Sequence, residues 1–272
     1  MRAISLRRLW WAAILLLGIS GTAVGWTIWD FRTDSIKVAI SESGNIAQVL
    51  AGQLSRSIQT IDAVLLEVSR STKGQDIDTP LGIRAALKNK EFHESLMEYR
   101  SRLPQVFNIA IADKDGQVVV STAGWPTPNI VVADRDYFED SRARTDGKLS
   151  TSIPILNRVD GTRTIVFARR LESPSGNFAG IVFAGVNTRY FEDIYGSIQS
   201  IQSLLFTLLK SDGTILVRYP QGQGFAGQKL SAEANRLDLI AITNGSFRVL
   251  AKTDGKVLYV SVRAMPEYPL FV

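Results

Sequence analysis

Between Leu9 and Trp29 the chain carries no charged side chain, and this run, rich in Leu, Ile, Ala and Trp, constrains the fold more than any other. It is about 21 residues long. As a helix rising about 1.5 Å per residue it spans the roughly 30 Å hydrocarbon core of a bilayer. Arg2, Arg7 and Arg8 precede it and Asp30 follows it. The positive-inside bias therefore predicts a cytoplasmic N-terminus, with the residues after about 30 on the other side. Trp10, Trp11, Trp26 and Trp29 stand near its two ends, at the depth where interfacial aromatics belong. A cleaved signal peptide has a shorter apolar region, about 7–15 residues, and a small-x-small cleavage site. No convincing site of that kind occurs here, so the reading is an uncleaved anchor.

No proline interrupts Asp34 to Ser71. Ile36, Ile40, Ala47, Leu50, Leu54, Ile61, Leu65 and Val68 recur there at helical spacings, which predicts one long helix. Such a stripe serves as a stalk paired with a second subunit, or covers a sheet, and both uses remain open. After a break at Lys73 to Pro80, Leu81 to Leu103 reads as a second helix, with Leu87, Phe92, Leu96, Met97 and Tyr99 as core contacts and Pro104 as its end. Val106 to Ala112 and Gln117 to Ser121, joined by Lys114-Asp115-Gly116, read as a hairpin. A loop, Gly124 to Pro128, leads to a short polar helix for which Asp134 is the predicted N-cap.

Three strand-like runs follow, Leu149 to Leu156, Thr164 to Arg170 and Phe178 to Val186, punctuated by Asp160-Gly161 and by Pro174-Ser175-Gly176. They predict an antiparallel meander. Thr188 to Ile198 reads as a connecting helix. A weak repeat then appears: Phe206 to Val217 echoes Ile109 to Val120, and Ser246 to Arg263, with its Asp254-Gly255 turn, echoes Thr151 to Arg169. Repeated units argue for duplicated modules, the second having a shorter helical part at about Ala232 to Ile242.

The chemistry-bearing residues exclude several classes. There is no cysteine among the 272 residues, hence no disulfide and no thiolate metal site. The net charge of +5 comes without a dense basic stripe, which argues against a nucleic-acid partner. His93 is the single histidine, too little for a metal centre or a phosphoacceptor reading. Gly222 to Gly227 matches G-x-G-x-x-G but lacks the alternating strand–helix context of a dinucleotide site. No G-x-S-x-G and no paired carboxylates stand out, so no catalytic constellation and no cofactor is expected.

The Asp134-Arg135-Asp136-Tyr137-Phe138 helix start, the Ser152-x-Pro154 strand, the Arg169-Arg170 strand end and the Phe178-Ala-Gly-Ile-Val182 strand, in this order and spacing, resemble the membrane-distal half of bacterial double-Cache sensors. These are the tandem PAS-like periplasmic regions of transmembrane receptors, and the resemblance runs from about Asp30 to the end. It implies an α+β fold: a long N-terminal helix followed by two PAS-like (Cache) modules, each an antiparallel sheet with flanking helices. The expected boundaries are 1–30 for the cytoplasmic tip and membrane helix, 31–195 for the stalk and distal module, 196–268 for the proximal module, and 269–272 for the start of a second membrane helix. The resemblance also implies an extracytoplasmic ligand-sensing function at the bacterial inner membrane, with a diguanylate cyclase or histidine kinase as output. A methyl-accepting chemoreceptor sensor, a membrane-anchored interaction module without ligand and a membrane-anchored enzyme are the alternatives.

Arg135, Tyr137, Arg142, Ser152 and Arg169 are residue types that hold a small carboxylate: guanidinium forks match two oxygens and hydroxyls add adaptable bonds. Family resemblance puts the Tyr137 helix and the Ser152 strand beside the cavity. Phe138, Phe167 and Trp125 are candidate walls or lid, with ordinary core packing as the alternative. The expected partners are a small anionic metabolite, a carboxylate or amino acid, the membrane, and a second copy of the chain through stalk and membrane helices.

Overall fold

The computed structural model describes residues 6–75, 77–196, 204–220, 224–230, 244–250 and 257–272. By its contacts the chain divides into two units, Met1–Val49 with Asn244–Val262, and Leu50–Thr243 with Arg263–Val272.

Helix α1 (Leu6–Ser71) is continuous for 66 residues. Its N-terminal part is long and apolar enough to cross a membrane, and the large side chains there, Trp10 through Phe31, are exposed. Burial begins at Gly44 and then follows one stripe: Ala47, Leu50, Leu54, Ile58, Ile61, Leu65 and Val68. Spacings of three and four place these residues on one face. Ile36 and Ile40, the earlier members of the predicted stripe, are half-buried.

The expected single helix over 81–103 is two helices, α2 (Pro80–Leu87) and α3 (Lys90–Ser101). Asn89 divides them, because its side-chain oxygen accepts from the Phe92 amide at 2.8 Å and caps α3. Thr79 caps α2 in the same way, with Pro80 in its first turn. Leu87 and Leu96 are buried, whereas Met97 is exposed.

One antiparallel sheet takes the order β2-β1-β6-β5-β3, with β4 also pairing β5. Its strands are β1 (Val106–Asp113), β2 (Val118–Ser121), β3 (Ser150–Thr151), β4 (Ile155–Leu156), β5 (Arg163–Glu172) and β6 (Phe178–Asn187). The predicted run 149–156 is thus split in two around Ser152-Ile153-Pro154. Proline has no amide hydrogen to give to a ladder, which accounts for the break. Helix α4 (Asp136–Ala143) lies on one face of this sheet, with Tyr137 and Phe138 in a cluster with Val166, Ala168, Ile181 and Phe183. On the other face Arg169 of β5 meets Asp62 of α1.

After β6, α5 (Thr188–Gly196) covers the described part of the predicted connecting helix, and residues 197 and 198 lie outside the described residues. A second sheet has the order β8-β7-β11-β10-β9. Its strands are β7 (Phe206–Lys210), β8 (Ile215–Tyr219), β9 (Asn244–Leu250), β10 (Val257–Met265) and β11 (Leu270–Phe271). The β7–β8 hairpin repeats β1–β2 bond for bond. Gly116 N donates to Asp113 O and Gly213 N to Lys210 O, both at 2.9 Å, and the two glycines share a left-handed φ of 80° and 81°. A trailing segment then pairs with each hairpin, Val132 N to Gly116 O in one and Leu230 N to Gly213 O in the other. The sequence echo therefore marks a duplicated supersecondary unit. The expected helical part at Ala232 to Ile242 and the Asp254-Gly255 turn lie outside the described residues.

The run 269–272 is not the start of a helix. Leu270 and Phe271 are β11, paired with Lys210 and Leu209 on one side and with Met265 and Ala264 on the other, and Leu270 is fully buried. An apolar run this short does not distinguish a strand from a helix start by pattern.

Candidate ligand-binding cleft

A cleft opens between the start of α4 and the sheet, a small cavity of about 60 Å³ behind an open mouth. Cross-strand register builds its floor. Gly185 sits opposite Val166 on β5 and Asn108 on β1, Phe183 sits opposite Ala110, and Thr164 lies two residues along β5 from Val166. Side chains two apart on a strand share a face, so these residues converge. One side wall is the segment Ile130 to Val132, held beside β2 by Val118 N donating to Ile130 O and Val132 N to Gly116 O. The other is β4 with the Asn157-Arg158-Val159 turn.

Two local devices bring Phe107 into this cleft. The β1–β6 register shifts between Val106 and Asn108, so that Phe107 and Asn108 both line the cleft although they are consecutive. Re-aiming a side chain is what a bulge does. Gly185 supplies the room: a Cβ there would come within 2.7 Å of the Phe107 ring.

The polar groups are mostly donors. Arg135 Nη2 donates to Leu156 O at 3.3 Å, while its Nε is buried without a hydrogen-bond partner. No acid stands within ion-pair distance of Arg135 among the described residues. Burial pushes the Tyr137 hydroxyl well above the ordinary tyrosine range, so it is neutral and able to donate. Asn108 Oδ1 accepts from Ser121 Oγ at 2.9 Å and from Thr122 Oγ1 at 3.0 Å, which turns its amide NH2 to other partners. Arg158 Nη2 binds Asp134 at 2.6 Å and Nη1 binds Val131 O. That bond from Arg158 holds the Asp134 carboxyl below the usual carboxylate range.

Of the eight residues proposed from sequence, Arg135 and Tyr137 line this cleft and six do not. Phe138 is buried in the α4 cluster, edge-on to Phe178. Arg142 lies on the exposed side of α4, 3.6 Å from Glu139, with its guanidinium 6.0 Å from the centre of the Phe178 ring. Ser152 is fully buried and already bonded, its hydroxyl accepting from Val166 N at 2.8 Å, which continues the β3–β5 ladder past the break. Phe167 and Arg169 alternate with Val166 and so face away from the cleft: Phe167 is fully buried, and Arg169 forks onto Asp62, Nη2 to Oδ2 at 2.9 Å. Trp125, 39% exposed, tilts against His93 with ring centres 5.4 Å apart. Asp134, the predicted N-cap, is one residue too early. Arg135 holds the cap position without a side-chain cap bond, and the Asp134 carboxylate is taken by Arg158.

Sequence reasoning missed Phe107, Asn108, Arg158 and Thr164. Thr164 shares β5 parity with Val166, a signal hidden because β5 is apolar on both faces. Phe107 depends on a bulge that leaves no mark in the pattern.

Residues 32–272 match the double-Cache profile of the Cache domain family. Among solved structures, the extracellular domain of rpHK1S-Z16, a protein assigned to the histidine kinases, is 28% identical. The match covers 87% of this chain and 93% of that one, with a TM-score of 0.73. The ligand-binding domain of the Pseudomonas fluorescens chemoreceptor CtaA, solved with L-serine, is 15% identical over 86% of this chain and 95% of that one, with a TM-score of 0.59. The ligand-binding domain of the Pseudomonas aeruginosa PAO1 amino acid chemoreceptor PctC, solved with GABA, is 15% identical over 86% and 97%, also with a TM-score of 0.59. At that identity these two share the fold. No curated protein sequence matches.

Proposed function

This chain belongs to the Cache domain family, and from that premise we propose that its α4 cleft binds a small carboxylate outside the cytoplasm and reports occupancy across the bacterial inner membrane. The observation that carries the reading is the Arg135 guanidinium, whose Nε is buried in the cleft wall without a partner. With no acid in ion-pair distance among the described residues, this guanidinium keeps charged hydrogen-bonding capacity for an anion in the cleft. Tyr137 and Asn108 add neutral donors on the same cavity. Chemoreceptor domains of this fold have been solved with L-serine and with GABA, both of which carry a carboxylate.

In this reading residues 31–195 form the stalk and membrane-distal module, and 196–268, completed by β11, form the proximal one. Leu9 to Trp29 anchors the chain, and two copies associate through α1. The signal is a shift between two states of α1, which a ligand can drive only as far as its affinities for the two states differ. The output is a diguanylate cyclase or histidine kinase. Arrangement as a chemoreceptor uses the same cleft with a different output.

The test is a thermal unfolding screen of organic acids on the whole chain in nanodiscs. A ligand that binds only the folded state raises the melting temperature with dose. A carboxylate that does so for the wild type and not for Arg135→Ala supports the reading. A screen in which no carboxylate shifts the transition, or in which Arg135→Ala responds like the wild type, contradicts it.

A further inference from the structure

We propose that the cleft is built for an amine-free carboxylate with an apolar body and discriminates against free α-amino acids. This rests on the sensor reading above and narrows its ligand.

An α-amino acid brings an ammonium as well as a carboxylate. Burying an ammonium is costly unless an acceptor, preferably charged, meets it. No aspartate or glutamate is among the described residues that line the cleft. The two acids nearest by sequence are already engaged: Asp134 holds Arg158 at 2.6 Å, and Asp136 accepts from the Ile153 amide at 2.7 Å. Two carbonyls at the rim are engaged as well, Leu156 O by Arg135 and Val131 O by Arg158. The Arg135 guanidinium, which no acid among the described residues pairs, further repels a cation.

Much of the remaining wall is hydrocarbon, interrupted by Asn108, Ser121, Asn157 and Thr164. Val118, Val132, Ile155, Val166 and Phe183 line the cavity. The apolar surface continues outward, for Leu156 and Val159 at the mouth are 61% and 50% exposed. A carboxylate head on Arg135 and Tyr137 leaves a branched or aromatic tail against these groups, where burial of its hydrocarbon favours binding. A short polar diacid has no second cationic site that is free, since Arg158 is paired.

The experiment is a calorimetric titration of the whole chain in nanodiscs with 4-methylpentanoate and with L-leucine, which share a carbon skeleton and differ by the amine. Succinate is the third probe. The proposal expects 4-methylpentanoate to bind at least about 10-fold more tightly than leucine, a difference of about 1.4 kcal/mol. It also expects Asn108→Asp, which adds a carboxylate to the floor and keeps the acceptor for Ser121 and Thr122, to narrow that ratio. Leucine binding as tightly as the acid, or a ratio that Asn108→Asp leaves unmoved, overturns the ligand class while the sensor reading stands. Succinate binding with no response to 4-methylpentanoate does the same. If none of the three binds and the wider acid screen is also silent, both readings fall.

Discussion

The two faces of strand β5 are built for different ends. On one face Ile165, Phe167 and Arg169 are turned away from the cleft, the first two with no exposed surface, and the Arg169 fork is matched to both oxygens of Asp62 on α1. The Arg169 guanidinium is bonded at every nitrogen and the two apolar side chains are buried, although Thr151 Oγ1, opposite Phe167, has no partner. On the other face Thr164 and Val166 look into a cavity where Arg135 Nε has no partner. A close-packed face resists every change of volume, whereas an unfilled one with spare donors has bonding capacity left over. Neighbouring residues of a single strand therefore differ: one parity is packed against α1, and the other lines the open cleft that the proposal assigns to the ligand.

The sharpest way to break this comparison is Phe167→Ala. Emptying a fully buried aromatic site costs about 3–5 kcal/mol, and denaturant unfolding should show it as a large drop in midpoint. A loss below about 1 kcal/mol would mean that the helix-side face is not filled as described. Next in size is Asp62→Ala. The Asp62 and Arg169 side chains are 19% and 16% exposed, so the pair is mostly but not wholly desolvated. Removing the acid strands a guanidinium, at a cost of about 2 kcal/mol, between the values for exposed and fully buried pairs. Double substitution with Arg169→Met should recover part of this, and failure to do so would assign the loss to packing alone.

On the cleft side the effects reverse. Arg135→Ala should leave the unfolding midpoint within about 0.5 kcal/mol of wild type, or raise it slightly, because an unbonded buried donor is removed. The same change should weaken carboxylate binding roughly 10- to 150-fold, the value of one charged hydrogen bond. The smallest effect belongs to Asp134. Its folded carboxyl titrates below the unfolded one because Arg158 donates to it. The stabilisation is therefore fully present above the unfolded pKa and is lost as the pH falls through the folded one. Carbon-detected titration of Asp134 should find it still ionised at pH values where an ordinary aspartate is half protonated. An ordinary midpoint would show that the Arg158 contact does not form in solution.

Much of the fold was legible because it is written in periods. The α1 stripe, the hairpin turns at Gly116 and Gly213 and the echo of one hairpin in the other all depend on local spacing. The family resemblance then supplied the arrangement of helix and sheet. The site was only partly legible, for a physical reason. Strand β5 is buried on both sides, so hydrophobicity does not reveal which parity faces the cavity; Phe167 and Arg169 were chosen and Thr164 and Val166 were not. Arg135 and Tyr137, chosen for their residue types and from the family resemblance, do line the cleft, whereas Phe138 and Arg142 of the same helix do not. Phe107 and Arg158 were not legible, since one depends on a bulge and the other on a turn docking 24 residues away, at Asp134.

The most direct test of the division across β5 is a methyl NMR titration of the whole chain in nanodiscs with 4-methylpentanoate, comparing Val166 with its neighbour Ile165. The two residues are adjacent in sequence, and both are buried. The Val166 methyls should move saturably with ligand while the Ile165 methyls hold their positions. Equal movement of both, or a silent Val166 beside a shifting Ile165, would contradict the assignment of the cleft to this face of the sheet.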